Sequence, residues 1–457
     1  MNPLMRCLMS MRLIFRMVIL SITVFALIDA TTVALGADWP QWRGPNRKDI
    51  TPESSGWPDS WPPKRIWSKN VGRGCTSPII VDGRLYVMGW QGEGNLRENP
   101  IGTDTVYCFN ALTGEELWKQ TYSCRYQSRV RTGDEGAYGG PSSTPAFDPQ
   151  TGYLYTLSID GDLRCWNTKQ KGQLVWPKNF YDEYNIPQRP PPSSPSPHAG
   201  REGVGGQRDY GFTSSPLIQG DLVIVEVGDN EGTVMAFNKR TGQRQWRSTC
   251  NEPAGHTSGP VSLTVQGISC LANLTLRKLV VMRTDKGHEG QTMAEYDWQT
   301  DYANNIATPA VFDNQIVLTS SQNVSSTCLV EVSLNGVREK WRTREHSQVS
   351  SPVIYKGCIY LADGSFKCLD FETGQLKWKG GNFDHGSCLI TAGDDKVIAF
   401  GRGKLVLIEA FPADNQYHEL SSVKEIVPDV CYPHVVLSDG IICCKDKAGN
   451  MVCFSLR

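Results

Sequence analysis

Four of the seven histidines, His256, His346, His385 and His434, stand in or beside polar stretches that separate one apolar repeat from the next. Other groups able to bind or to carry charge sit in the same stretches. RYQSRVRTGDEGAYGGPSSTP (125–145) holds Arg131, Asp134, Glu135 and Tyr138. GGQRDYGF (205–212) brings Arg208, Asp209 and Tyr210, and later stretches bring Asp301, Asn304, Asn305 and Asp384. Collected by a fold, such residues suit a polar ligand, a peptide or a metal ion. Spacing narrows the choice. No His-x-x-x-His or Cys-x-x-Cys pair is present, so no metal site is expected, and Arg131, Asp134 and Glu135 are close enough to pair with one another. No nucleophile elbow or Ser-His-Asp order appears in a specific context. The chemistry these residues suggest is recognition, and no catalytic residue is assigned.

The elements that must position them are repeats. Each unit opens with Ser/Thr-x-Pro or Ser-Pro and a short apolar strand, turns at a glycine, and returns as a second apolar strand. A third strand ends in a Thr-Gly or Asn-Gly turn, and a tryptophan closes the unit. SSPVIYKGCIYLADGSFKCLDFETGQLKW (350–378) is one clear copy. Gly114, Gly172, Gly242 and Gly374 each precede a tryptophan (Trp118, Trp176, Trp246, Trp378) by four residues, and Gly336 precedes Trp341 by five. A glycine supplies the positive φ of the hairpin, and an indole on the outer strand covers the seam to the next sheet. One such sheet cannot bury two faces alone, so the units must stack.

The sequence therefore predicts an all-β fold, an eight-bladed β-propeller of four-stranded antiparallel blades. First strands open near Thr76, Ser143, Ser214, Ser258, Thr308, Ser350, Ser387 and Tyr432. Units four and seven are degenerate, and a miscount of one would leave seven blades. The last unit has three strands of its own. KRIWSKN (64–70), with Trp67, matches a closing strand and is expected to lock the ring. Residues 37–63 form an N-terminal extension, 64–457 the propeller, and 179–212 a long inter-blade insertion with a low-complexity middle.

Cys108, Cys165, Cys368 and Cys453 occupy one repeated place that Ala236 fills elsewhere, as small buried thiols would. The adjacent Cys443 and Cys444 are left open between free thiols and a strained vicinal disulfide. Residues 1–36, with Arg6, Arg12 and Arg16 before an apolar run, read as a secretory signal peptide. The expected product is exported, periplasmic or extracellular, with no integral membrane domain after cleavage. A net charge of -1 gives no field for nucleic acid.

The Thr-Gly-x-x-x-Trp closure resembles the PQQ-like β-propeller repeat family over roughly residues 38–457. DWPQWRGPNR (38–47) looks like the opening of exported members in planctomycete bacteria. That family includes quinoprotein alcohol dehydrogenases and the non-enzymatic propeller subunit of the outer-membrane barrel-assembly machinery. The favoured expectation is a non-catalytic, monomeric scaffold with no cofactor. It binds a protein or polymer on the funnel face where the inter-blade linkers gather. An alternative is a quinoprotein oxidoreductase using PQQ with Ca²⁺, although the family's cofactor residues do not map onto this chain one by one. A further alternative is polysaccharide binding by Tyr126, Tyr138 and Tyr210.

Overall fold

A computed structural model describes residues 37–93, 101–124, 140–184, 186, 211–256, 259–300, 305–321 and 324–457. Residues 37–457 form one compact unit. It is an eight-bladed β-propeller. Innermost strands begin at Ile79, Ala146, Leu217, Val261, Ala310, Val353, Ser387 and Val436, matching the eight predicted openings. These strands are short and largely buried, which is why their residues read as unbroken apolar runs. In blade 6 the segment Cys358–Asp370 supplies both the second and third strands, with Gly364 at φ +61 between them.

Ring closure follows the expectation. Lys64–Asn70 is the outer strand of blade 8 and pairs antiparallel with Asn450–Ser455, so the two ends of the ring share one sheet.

Register explains the closing motif. In every blade the outer strand carries a one-residue bulge next to the tryptophan position. The bulge adds twist and turns the indole toward the neighbouring blade. Directly opposite lie Cys108 for Trp118, Cys165 for Trp176, Cys368 for Trp378 and Cys453 for Trp67. All four thiols are fully buried and free. Ala236 faces Trp246 in the same place, and Leu329 faces Trp341. Ala294 holds the tryptophan position in blade 4 and Ser421 holds it in blade 7. Trp298 lies beyond the fourth strand of blade 4, so it is not that unit's closing residue.

Each indole then meets the next blade. A Cβ on Gly114 would stand 2.7 Å from the Trp67 ring, and one on Gly172 would stand 2.6 Å from Trp118. Trp176 covers Gly242 and Trp341 covers Gly374 in the same way. Trp67 Nε1 and Trp341 Nε1 also donate to carbonyls of the blade they cover, Ala111 O at 2.8 Å and Phe371 O at 2.9 Å. The glycine is thus needed for its turn and for its bare surface.

The serine and threonine that open each unit have a use the repeat does not announce. Their hydroxyls accept backbone N–H groups from adjacent blades. His434 N donates to Ser77 Oγ at 2.7 Å, Ser77 N to Thr144 Oγ1 at 3.0 Å, and Thr144 N to Ser215 Oγ at 3.0 Å. Thr308 N to Ser351 Oγ repeats the link at 3.1 Å. The following proline brings no N–H that the ring axis would leave unpaired.

Candidate functional site

The ring axis is filled by the chain's own N-terminal extension. Residues 38–53 enter beside the turns that follow the first strands, reach inward, and return to the same end. Trp39 exchanges backbone hydrogen bonds with Ile80 of blade 1, and Phe147 N of blade 2 donates to Pro40 O at 2.8 Å. Arg47 Nη2 donates to Ser215 O of blade 3 at 3.0 Å, and Nη1 to Pro260 O of blade 4 at 2.8 Å. Trp42 Nε1 donates to Thr308 Oγ1 of blade 5 at 3.0 Å, and Arg43 reaches Pro352 O of blade 6. Ile50–Thr51 adds a parallel strand inside blade 7. Asp49 Oδ1 lies 3.3 Å from His434 Nδ1 of blade 8, and Glu53 accepts from the Asp439 and Gly440 amides there. One segment therefore touches all eight blades.

Arg43, Arg47, Asp49 and Glu53 of the segment are buried. Arg43 pairs with Asp49 at 2.5 Å, both side chains at 0% exposure. Burial alone would raise the Asp49 carboxyl, but Arg43 and His434 outweigh it and hold the group below its ordinary range. Among the described residues Arg47 has no carboxylate partner. Burial, then the nearby Arg43 charge, lowers its pKa to about 9.

Inter-blade linkers leave the ring at the opposite end, because every first strand runs from its linker toward the plugged end. There the described residues form a groove over blade 7, between the outer strand of blade 6 and the linker that leads to blade 8. A hollow of about 260 Å³ is lined by Asp384, His385, Arg402, Asp429 and Cys431 among others. Arg402, Val427 and Pro428 also border a larger hollow of about 610 Å³ with Lys404, Lys424 and Glu425. His385 stacks on Tyr432, with ring centroids 5.6 Å apart. Its Nδ1 lies 3.8 Å from Asp363 Oδ1, an ion-pair distance too long for a direct hydrogen bond. Asp363 raises the His385 pKa, against the opposing pull of burial. Asp363 in turn accepts from Gln348 N at 2.6 Å, Val349 N at 2.8 Å and Ser347 Oγ at 3.0 Å, which fixes its orientation.

The candidate residues named from sequence divide. His385 lines the groove. His346 keeps Nδ1 on Arg344 O at 2.8 Å within its own linker. Asn305 is buried and spends its amide on Thr275 O and Trp298 O, so it braces a linker. His256 is buried at 2% exposure. His434, at the start of blade 8, faces Asp49 of the plug. Arg131, Asp134, Glu135, Tyr138, Arg208, Asp209, Tyr210 and Asn304 lie outside the described residues, as do Tyr126, Asp301 and the signal-like residues 1–36. Missed were Arg43, Arg47 and Asp49, and also Asp363, Arg402 and Tyr432. A buried arginine that binds carbonyls leaves no spacing pattern to find.

A PQQ group with Ca²⁺ does not fit the axis. Arg43 and Asp49, paired with each other, and Trp42 and Arg47, bonded to the ring, already occupy it. Cys443 and Cys444 are buried free thiols. Among the described residues no group of three or more His, Cys, Asp or Glu side chains is placed to hold a metal ion.

This fold and its repeats define a PQQ-like propeller. The model of a family described as outer membrane protein assembly factor BamB matches residues 102–380, more than half of the chain. The chain belongs to that family. Solved structures share the fold at low identity. BamB from Moraxella catarrhalis is 11% identical with TM-score 0.55, covering 86% of this chain and 99% of its own. Sqt1 from Saccharomyces cerevisiae is 9% identical with TM-score 0.53, covering 86% and 99%. A europium-containing methanol dehydrogenase, 12% identical over 82% and 90%, has TM-score 0.42, too loose a likeness to bear on chemistry. No curated protein matches the chain.

Proposed function

We propose that the protein is an exported, non-catalytic scaffold that binds a protein or polymer ligand at the linker end of its ring. The observation that carries this reading is the difference between the two ends. One is closed by residues 38–53, while the other presents the mixed-charge groove of Asp384, His385, Arg402 and Asp429. The family description, an assembly factor for outer membrane proteins, suits a chain that holds another protein. It also favours a place in the cell envelope, as does the signal-like start. Among the described residues no helix is long and apolar enough to cross a membrane.

The test is site-specific photocrosslinking in the cell of origin. A photoreactive residue at Arg402 should give one dominant protein or polymer adduct. The same residue at Asp82, on the plugged end, should give none. Adducts at Asp82 alone, or at neither position, would refute the reading.

A further inference from the structure

A third hollow lies at the plugged end, where the N-terminal segment meets blades 5 and 6. It measures about 450 Å³, within the size range of small-molecule sites. Val311, Ile354 and Phe371 supply apolar wall, and Phe312 stands at 47% exposure with its ring edge-on to Phe371, centroids 5.5 Å apart.

The polar side of the cavity is cationic. Arg43, Arg47, Lys48 and Lys356 line it against one carboxylate, Glu372. Two of those cations are already balanced, Arg43 by Asp49 and Lys356 by Asp395 at 2.8 Å. Arg47 and Lys48 have no ion-pair partner among the described residues, and the lining sets only Glu372 against them. Arg47 is buried on carbonyl oxygens, which saturate its N–H groups without cancelling its charge. Lys48, next in the chain, is exposed and has no ion pair or hydrogen bond among the described residues. An apolar hollow with uncompensated positive charge at its mouth selects a molecule with an apolar body and one anionic head.

We propose that this cavity binds a small monocarboxylate with an apolar tail, its carboxylate beside Lys48 and its tail among Val311, Ile354 and Phe371. The site is at the far end of the ring from the linker groove, so it stands or falls separately from the scaffold reading.

Calorimetric titration of the full chain with octanoate tests it, with octylammonium as the same tail bearing the opposite charge. Octanoate should bind saturably at one site and octylammonium should not. Lys48→Glu should weaken octanoate by about tenfold or more, and Phe312→Ala by several-fold; both positions are exposed, so folding is spared. No saturable octanoate binding, equal binding of octylammonium, or an unchanged affinity in Lys48→Glu would overturn the proposal.

Discussion

Arg43 and Asp49 meet on the propeller axis, guanidinium to carboxylate at 2.5 Å, with neither side chain exposed. The same arginine reaches the carbonyls of Pro309 and Pro352, and the same aspartate faces His434. The pair thus ties blades 5, 6 and 8 through a segment that belongs to none of them. Removing one partner strands the other charge, at a cost of about 3–5 kcal/mol. Arg43→Met and Asp49→Asn should each lower stability by that order in denaturant melts. The double variant should cost less than the two singles added together.

Acid should act on the same pair. The folded Asp49 carboxyl sits below its unfolded value, so its stabilisation is fully present above the unfolded pKa of about 3.9. It is lost as pH falls through the lower folded value. Asp49→Asn should therefore flatten the acid limb of a stability–pH curve; an unchanged limb would show that the pair does not carry it.

Asp104 predicts the opposite slope. It is fully buried, and burial first, then Asp160 and Asp162, pushes its pKa well above the ordinary range. The folded state then holds the proton more tightly than the unfolded chain. Its contribution is complete below the unfolded value and fades as pH rises toward the folded one. Asp104→Asn should be stabilising near pH 7, and more so at higher pH, in thermal melts.

The seam between blades makes a paired prediction. Gly172 has φ +72 and faces the Trp118 ring, whereas Gly83 has φ +67 and nothing within 4 Å of a Cβ. Gly83→Ala should cost roughly 1–2 kcal/mol for its backbone alone. Gly172→Ala should cost roughly 1–3 kcal/mol more, because the ring must move. Equal losses would mean that the indole contact is loose.

The blade count was legible because Ser-Pro openings and Thr-Gly-x-x-x-Trp closures are local patterns that each fold element repeats. Units four and seven drifted where Ala294 and Ser421 replace the indole, yet their apolar strands kept the count at eight. The plug was not legible. DWPQWRGPNRKDIT has no strand period, and its arginines look like surface charge until carbonyls from four blades surround them. The groove was half legible. His385 stood out as a linker histidine, but Asp363 comes from the turn between two strands and Tyr432 from the linker after the next blade. Such convergence depends on how the blades are arranged around the ring, which no single repeat encodes.

Hydrogen exchange of the intact chain, resolved over residues 38–50, reads the axial plug directly. The amides of Trp39, Arg47 and Asp49 donate to Ile80 O, Gly44 O and Arg43 O. They should exchange as slowly as the innermost strands, since opening them requires the plug to leave the ring. Complete exchange within seconds at neutral pH, while the blade strands stay protected, would contradict a closed axis and with it the assignment of the working face.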